Sequence, residues 1–171
     1  MENTEKKQKK VFLLCGIPGS GKSTWVKNRI NKYGGKHISR DEIRFSMLKE
    51  GDDYFAKENQ VFKEFVRRAN EAILNDKIFD VYIDATHLNK RSRNKTLNRI
   101  KKANIEELNC VCFNTPVELC QARNSLRSGR ARVPASTIDN MFKSYAYPTA
   151  DEGFTHVYVV DAEGVTKEVN V

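Results

Sequence analysis

The segment from Gly16 to Thr24 has the composition of a phosphate-binding loop. It reads Gly-Ile-Pro-Gly-Ser-Gly-Lys-Ser-Thr and fills every fixed position of the pattern G-x-x-x-x-G-K-[ST]. Glycines let backbone N–H groups turn inward around phosphate oxygens, and a following helix adds the positive end of its dipole. We therefore expect Lys22 to reach the β- and γ-phosphates of ATP and the Ser23 hydroxyl to ligate Mg²⁺. The residues expected to bind ATP in this loop are Gly16, Ile17, Pro18, Gly19, Ser20, Gly21, Lys22, Ser23 and Thr24.

The residues on either side of this loop support the same assignment. The apolar run at 11–15 predicts a buried strand, and residues 25–30 predict a helix. The alternative is a glycine-rich turn with a surface lysine. It would require the motif, the strand and the helix to coincide by chance.

A second group of polar residues, Ser-Arg-Asp-Glu-Ile-Arg, follows a short predicted strand at 37–39. Ligands of open α/β sheets bind beyond the carboxyl ends of the strands, so Asp41 is expected at the same edge as the loop. Its carboxylate suits the acceptance of a proton from an attacking hydroxyl. Arg44, one helical turn later, suits phosphate binding. The alternative is a local capping box of Ser39 and Glu42, with Asp41 complementing the helix dipole. The local sequence slightly favours the cap, and the two interpretations are compatible.

The sequence Asp-Ala-Thr-His-Leu-Asn follows the third predicted strand and occupies the same edge. Asp84 is expected to approach the water shell of a metal ion or to orient Arg44. Thr86 is expected to contact a substrate phosphate. The alternative is a strand-to-helix turn in which Thr86 or Asn89 caps the helix. His87 is expected to be a surface or turn residue and not a catalytic one.

An arginine-rich segment at 123–134 joins two predicted helices. It contains Arg123, Arg127, Arg130 and Arg132 together with one glycine. Arginines on a mobile segment can close over ATP and neutralise charge on a transferred phosphoryl group. The segment therefore predicts a lid, and the alternative is an exposed basic loop.

Strands and helices alternate along the whole chain. Strands are predicted at 11–15, 37–39, 78–84, 108–113 and 154–160, with an edge strand within 164–171. Helices are predicted at 22–33, 40–49, 54–75, 89–103, 116–126 and 134–145. This alternation predicts an α/β fold of the P-loop NTPase type, in which helices cover both faces of a parallel sheet and an arginine-bearing lid closes over it. Residues 11–171 are expected to form one domain after a basic, disordered tail at 1–10.

Composition and charge indicate the class of partner. The chain has 171 residues, a net charge of +8 and a pI near 9.3. Residues 86–104 carry seven cations and no acidic residue, namely Lys90, Arg91, Arg93, Lys95, Arg99, Lys101 and Lys102. Such a basic body favours polyanions, and the alternative for this run is a solvated helix face.

The remaining features of the composition concern the compartment. Neither a membrane-spanning run nor a signal sequence is recognisable, so a cytoplasmic protein without a membrane partner is expected. Cys15, Cys110, Cys112 and Cys120 lie in or beside apolar runs and are expected to be reduced core residues. A metal site built on Cys110 and Cys112 is not expected, because two further ligands are lacking.

Taken together, the motifs G-I-P-G-S-G-K-S-T-W, I-S-R-D-E-I-R, D-A-T-H-L-N and T-P-V-E-L-C-Q-A-R-N-S-L-R resemble a known family. They are similar to the kinase domain of phage and bacterial polynucleotide 5′-kinases, over residues 11–145. The resemblance implies that Lys22 and Ser23 bind ATP and metal. It implies that Asp41 is the general base for the 5′-hydroxyl and that Arg44 binds the 3′-phosphate of the acceptor.

For the lid, the resemblance implies that Arg127 contacts the transferred phosphate and that Arg123 lies near the adenine. Two departures from the family pattern matter. Ala85 stands where the phage enzymes have an aspartate, and Asp84 comes one residue earlier. The lid also has one more residue before Val133, so that Arg130 or Arg132 could replace Arg127. The sequence lacks a D-x-D-x-T motif, so 3′-phosphatase activity is not expected.

We therefore expect a kinase that uses ATP and Mg²⁺ to phosphorylate the 5′-hydroxyl ends of RNA or DNA in nucleic-acid repair. The first alternative is a small-molecule or nucleotide-sugar kinase of the P-loop superfamily, and the basic surface favours the polynucleotide over it. The second is a nucleotide-binding switch without kinase activity, which would need neither a general base nor an arginine clamp. The sequence gives no oligomeric state and does not separate RNA from DNA.

Overall fold

The computed structural model describes residues 7–171, which contain six strands and six α-helices in the order β-α-β-α-α-β-α-β-α-α-β-β. The strands are β1 (Lys10–Cys15), β2 (Lys36–Ser39), β3 (Asp80–Asp84), β4 (Glu107–Asn114), β5 (His156–Asp161) and β6 (Thr166–Val169). The helices are α1 (Lys22–Tyr33), α2 (Arg40–Met47), α3 (Glu58–Leu74), α4 (Lys90–Leu97), α5 (Val117–Ser125) and α6 (Ala135–Ser144). Short 3₁₀ turns lie at Lys102–Asn104, Gly129–Ala131 and Ala150–Glu152.

The strands form one sheet in the order β2-β3-β1-β4-β5-β6. The first five strands are parallel, and β6 runs antiparallel to β5 at the edge. This confirms the predicted α/β fold with a parallel sheet, and also the edge strand. Because β1 lies between β3 and β4, the loop that follows β1 emerges at the centre of the sheet.

Side chains of β1 alternate between two cores, as the period of a strand requires. Val11, Leu13 and Cys15 pack against residues of α2, α3 and α4. On the opposite face, Phe12 and Leu14 belong to a second core that includes residues of α1. Helices therefore cover both faces, which explains why β1 reads as a continuous apolar run without alternation.

Two helices are shorter than the sequence predicts. Helix α3 begins at Glu58 and not at residue 54, because 54–57 form turns that leave Phe55 56% exposed. Helix α4 ends at Leu97, and the residues after it continue only into the 3₁₀ turn at Lys102–Asn104. Phe55 therefore fits the helical period of the sequence but is not part of the core.

The predicted N-terminal tail at 1–10 overlaps the domain. Residues 1–6 lie outside the described residues. Lys9 is buried, and its ammonium group donates to the carbonyls of Ala72 and Asn75 at 3.3 and 2.7 Å. Lys10 is the first residue of β1. A cation beside the last carbonyls of α3 complements the negative end of that helix, which explains why Lys9 is held by the fold.

The basic run at 86–104 is only in part a surface feature. Arg93 is fully buried, and its guanidinium group donates to both carboxylate oxygens of Glu152, at 2.7 and 2.8 Å. It also donates to the carbonyl of Ala146 at 2.8 Å. The exposed Lys90 forms an ion pair with Asp151. Arg93 is therefore a structural residue and is not available to a polyanion, contrary to the sequence-based interpretation.

The four cysteines are buried and unbonded, as predicted. The Sγ atoms of Cys15 and Cys110 approach to 3.4 Å between neighbouring strands. Among the helices of residues 7–171, none combines the length and apolar composition needed to cross a membrane.

His87 lies in the loop between β3 and α4, in agreement with the predicted surface or turn position, but it is buried there. It is 2% exposed and has a φ of 41°, a left-handed conformation that is rare outside glycine. Its Nδ1 lies 2.7 Å from the carbonyl oxygen of Leu14, and its Nε2 lies 3.0 Å from Oγ1 of Thr96. Burial lowers the pKa of His87 to about 4. His87 is therefore neutral at pH 7 and links the end of β1 to α4.

The low pKa of His87 predicts a loss of stability in acid. The unfolded chain takes up a proton at His87 near pH 6.5, whereas the folded protein does so only near pH 4. Neutral His87 therefore contributes about 3 kcal/mol to the free energy of unfolding. This contribution is fully present above pH 6.5 and is lost as the pH falls to 4. Urea unfolding between pH 7.5 and 4 should show this slope, and His87→Asn should flatten it. Parallel profiles of the two proteins would contradict the assignment.

Candidate functional site

A cleft of about 970 Å³ opens at the carboxyl ends of the parallel strands. It brings together most of the residues that the sequence singled out, although they come from four separate segments. These lining residues are Pro18, Gly19, Ser20, Gly21, Lys22, Ser23, Thr24, Asp41, Arg44, Asp84, Thr86, Arg123, Arg127, Arg130 and Arg132. Gly16 and Ile17 do not line it. Ile17 is instead buried against Cys120 and Ile138, and so anchors the loop to α5 and α6.

The phosphate-binding loop is held in shape by its glycines and by neighbouring strands. Gly19 has a φ of 82°, and a Cβ atom placed there would lie 2.5 Å from the carbonyl oxygen of Cys120. Gly21 has a φ of 102° and precedes α1 directly. The hydroxyl of Thr115 donates to the carbonyl of Ser20 at 2.8 Å. The glycine positions therefore meet a steric requirement as well as the conformational one.

Lys22 lies across the loop, inside the cleft. Its Nζ donates to the carbonyls of Gly16 and Ile17 at 2.8 and 3.2 Å. Burial lowers its pKa from the usual lysine value, the carboxylates of Asp84 and Asp41 act in the opposite direction, and Arg127 adds to the lowering. The ammonium group thus lies within electrostatic reach of both acidic residues and of the lid.

Asp41 lies in the first turn of α2 with its side chain 56% exposed. Oγ of Ser39 accepts a hydrogen bond from the backbone N–H of Glu42 at 3.3 Å, which is the Ser39 half of the predicted capping box. The cap and an accessible carboxylate therefore exist together. Asp41 is fixed further by the hydroxyl of Tyr54, which donates to its Oδ1 at 2.7 Å.

Arg44 is 4% exposed and is engaged on several sides. Its guanidinium group donates to Asp41, to the hydroxyl of Tyr54 at 2.8 Å and to Glu58 at 2.7 Å. It also lies 4.3 Å from the centroid of the Tyr54 ring. Arg44 therefore holds Asp41 in place. The sequence predicted a phosphate ligand at this position and did not predict these contacts within the protein.

Tyr54 and Glu58 are site residues that the sequence analysis missed. The carboxylate of Glu58 pairs with both Arg40 and Arg44, so it joins the start of α3 to α2. Burial and the neighbouring charge of Asp41 raise the pKa of Tyr54, so its hydroxyl stays protonated and can donate. The sequence reading assigned both residues to one long amphipathic helix, and no local motif distinguishes them.

Asp84 ends β3 next to the phosphate-binding loop and is 6% exposed. Its Oδ2 lies 2.9 Å from Nε2 of His37, so its partner is this histidine and not Arg44. The hydroxyl of Ser23 lines the same cleft from the first turn of α1. A carboxylate and a hydroxyl are oxygen ligands of the kind that Mg²⁺ prefers, directly or through water, so the residues present fit the expected metal.

Thr86 lines the cleft beside this pair. Its carbonyl accepts the backbone N–H of Gly16 at 2.9 Å, which ties the loop after β3 to the end of β1. Of the two capping residues considered from the sequence, Asn89 caps α4, since its side chain accepts the N–H of Ser92 at 3.1 Å. The side chain of Thr86 is therefore not used as the helix cap.

The arginine-bearing segment is closed at its base by Asn124, whose side chain exchanges hydrogen bonds of 2.6 and 2.9 Å with the backbone of Val133. Arg123 donates to the carbonyl of Gly19 at 3.1 Å and to that of Ala162 at 3.3 Å. Arg130 reaches the segment after α2 and donates to the carbonyl of Lys49 at 2.8 Å. Arg127 is exposed and lines the cleft. Arg123, Arg127 and Arg130 thus have separate positions, and the charge of Arg127 contributes to lowering the pKa of Lys22.

Comparisons with known proteins agree with this architecture. The chain is 26% identical over 161 residues to a protein of Acanthamoeba polyphaga mimivirus that is named as a bifunctional polynucleotide phosphatase/kinase. A chain of the Pnkp1/Rnl/Hen1 RNA repair complex superposes with a TM-score of 0.68 at 23% identity, over 84% of this chain and 46% of that one. A Janibacter sugar kinase superposes with a TM-score of 0.60 at 18% identity, over 91% of this chain and 86% of that one.

The mimivirus match takes in 90% of this chain but 34% of the relative, so the chain spans about a third of the length of that protein. The structural likenesses establish the fold and leave the substrate open, since one neighbour is from an RNA repair complex and another is a sugar kinase. The family model described as an AAA domain matches residues 11–148, which is most of the chain. The protein therefore belongs to the AAA domain family, with a nucleotide-binding P-loop after β1.

Proposed function

We propose that this protein transfers the γ-phosphate of ATP to the 5′-hydroxyl end of RNA or DNA. The observation that carries the proposal is the placement of Asp41. Its exposed carboxylate lies in the same cleft as Lys22 and is held there by Arg44 and Tyr54. A switch protein has no use for such a fixed base, whereas phosphoryl transfer to a hydroxyl is accelerated by one.

In the proposed reaction, the backbone of the phosphate-binding loop and Lys22 bind the β- and γ-phosphates. Asp41 accepts the proton of the acceptor hydroxyl while the oxygen of that hydroxyl forms a bond to the γ-phosphorus. The bond between that phosphorus and the bridging oxygen breaks, and ADP leaves. Mg²⁺, held by Ser23 with Asp84 beside it, supplies charge neutralisation at the phosphates when bound.

The choice of a polynucleotide acceptor rests on charge and on the relatives. Arg127, Arg130 and Arg132 border the cleft, and the chain carries a net charge of +8. A polyanionic acceptor gains from such a border, whereas a neutral sugar does not. The mimivirus relative is named for activity on polynucleotides. The likeness to a sugar kinase supports the alternative of a small-molecule acceptor.

The deciding experiment offers labelled ATP and Mg²⁺ to the protein with a panel of acceptors. The panel contains RNA and DNA oligonucleotides with a 5′-hydroxyl, gluconate, simple sugars and nucleosides. The matched control is each oligonucleotide with its 5′ end already phosphorylated. We expect label only on the 5′-hydroxyl oligonucleotides. The affinity for a single-stranded acceptor should fall with salt, and the plot of log affinity against log salt concentration should have a slope of roughly −0.7 for each phosphate contact. Labelling of a sugar or nucleoside alone would overturn the proposal.

The lid gives a graded prediction. Arg127→Ala should lower kcat by about 100-fold, because one charged donor to the transferred phosphoryl group is lost. Arg130→Ala and Arg132→Ala should lower kcat less, since Arg130 already binds the carbonyl of Lys49. Steady-state rates of the three variants at saturating ATP and acceptor make the comparison. A larger loss at Arg130 or Arg132 would assign the clamp to that residue instead.

A further inference from the structure

Three aromatic side chains, which we call the aromatic cluster, meet beside the cleft: Phe45, Tyr54 and Phe55. Phe55 is 56% exposed and Phe45 is 38% exposed. The ring centroids of Tyr54 and Phe55 lie 4.8 Å apart at an angle of 84°, and those of Phe45 and Tyr54 lie 6.2 Å apart at 67°. Single exposed aromatic residues are common, but an exposed group of them at a cleft is typical of a binding surface.

The aromatic cluster lies next to the proposed general base. The hydroxyl of Tyr54 donates to Oδ1 of Asp41 at 2.7 Å, and both Tyr54 and Phe55 line the cleft. An acceptor hydroxyl that gives its proton to Asp41 must therefore bring the rest of its nucleotide close to this cluster. The part of a nucleotide that matches an exposed aromatic ring is its base.

Phe55 is the member of the cluster that is most available. One face of the Tyr54 ring is covered by the guanidinium group of Arg44, 4.3 Å from the ring centroid. Phe45 packs against the Tyr54 ring and does not line the cleft. Phe55 lies in the turn before α3, and this turn leaves its side chain exposed.

Charged groups of both signs lie around the aromatic cluster, and Arg130 is the lid cation among them. Arg130 of the lid is anchored here through its bond to the carbonyl of Lys49. Lys57 lies 3.8 Å from Asp52, whose carboxylate also accepts the backbone N–H of Lys49. Asp53, which lines the cleft, adds a further negative charge. Of the two cations Arg130 and Lys57, Arg130 lines the cleft, so an incoming phosphate of the strand can pair with it.

We propose that Phe55, supported by Tyr54 and Phe45, stacks on a nucleobase at the 5′ end of the acceptor strand. This proposal rests on the proposed function and narrows it to unpaired 5′-hydroxyl ends of polynucleotides. A base inside a duplex is already paired and stacked on both faces, whereas an unpaired base is free to stack on Phe55. Stacking on an aromatic ring tolerates every base, so the preference is for a strand and not for a sequence.

The test combines a protein variant with a change in the acceptor. Phe55→Ala should raise the KM for a single-stranded 5′-hydroxyl oligonucleotide by about 5- to 150-fold, the loss of one stacked base. The kcat and the KM for ATP should stay within twofold, and Phe55→Trp should retain the wild-type KM. Phe142→Ala is the matched control, because Phe142 is 45% exposed on α6 and does not line the cleft. It should leave every constant unchanged.

The acceptor arm replaces the bases at the 5′ end, one at a time, with abasic sites. At one of these positions, the abasic site should raise the KM of the wild-type protein as much as Phe55→Ala does. The same abasic site should have no further effect on the KM of Phe55→Ala, because both changes remove the same contact. If the wild-type protein labels 5′-hydroxyl oligonucleotides but neither change raises the KM, the stacking proposal alone is overturned. If the wild-type protein labels none of them, the proposed function fails first.

Discussion

Lys22→Ala is expected to reduce phosphoryl transfer by at least about 1,000-fold and to leave the domain folded. The ammonium group of Lys22 contacts only the carbonyls of its own loop, at 2.8 and 3.2 Å, so its loss removes no contact between elements of the core. Its proposed role is to neutralise the charge of the β- and γ-phosphates. This interaction positions the transferred phosphoryl group and stabilises it in the transition state. Initial rates with labelled ATP measure the loss.

The control for Lys22→Ala is its thermal unfolding beside that of the wild-type protein. Burial lowers the pKa of Lys22, which means that the fold disfavours this charge, so its removal should cost little stability and the two melting temperatures should agree within a few degrees. Lys22→Arg is the second variant, because it keeps the charge but changes the geometry of the donor. Near-normal turnover of Lys22→Ala would show that the phosphates bind elsewhere.

Asp41→Asn is expected to lower kcat by about 10²- to 10⁴-fold, the usual contribution of a general base. The amide keeps the shape of the side chain and can still accept the hydrogen bond of Tyr54, so the geometry should survive. The KM for ATP should change little, because Asp41 belongs to α2 and not to the phosphate-binding loop. Rates over a range of ATP and acceptor concentrations separate the two constants.

Ser39→Ala distinguishes catalysis at Asp41 from helix capping. It removes the side chain that accepts the N–H of Glu42 and should cost about 1 kcal/mol of stability, with full specific activity. Asp41→Asn should show the opposite pattern, a loss of kcat at nearly unchanged stability. If Asp41→Asn lost stability and kept its activity, the carboxylate would serve only the dipole of α2.

The position of Arg44 changes what its substitution would mean. The sequence alone suggests a phosphate ligand whose loss weakens acceptor binding. In the structure, Arg44 holds Asp41 and Tyr54 and is paired with Glu58, so Arg44→Ala would remove the group that fixes the position of Asp41 and would leave Glu58 with Arg40 as its ion-pair partner. Its effect would therefore combine destabilisation with misplacement of the base, and Asp41 is the cleaner position for a test.

The sequence by itself determined the order of the elements and the location of the phosphate-binding loop. These signals are local. The loop motif, the apolar run of β1 and the helical period of α1 each lie within a few contiguous residues, and α1 was predicted with the bounds Lys22–Tyr33 that the structure has. Sites of α/β folds lie beyond the carboxyl ends of the parallel strands. This rule places Asp41 and Asp84 at the cleft from the sequence alone.

Only the tertiary structure decided which charged side chains are internal and which face the cleft. Arg93 pairs with Glu152, 59 positions away, and His37 pairs with Asp84, 47 positions away. Such pairs carry no local pattern, because the free energy of burying a charge depends on a partner that the chain brings from elsewhere. The same holds for Tyr54 and Glu58. Their contacts with Asp41 and Arg44 exist because α3 packs on α2, and a polar residue at the start of a helix does not reveal that packing in advance.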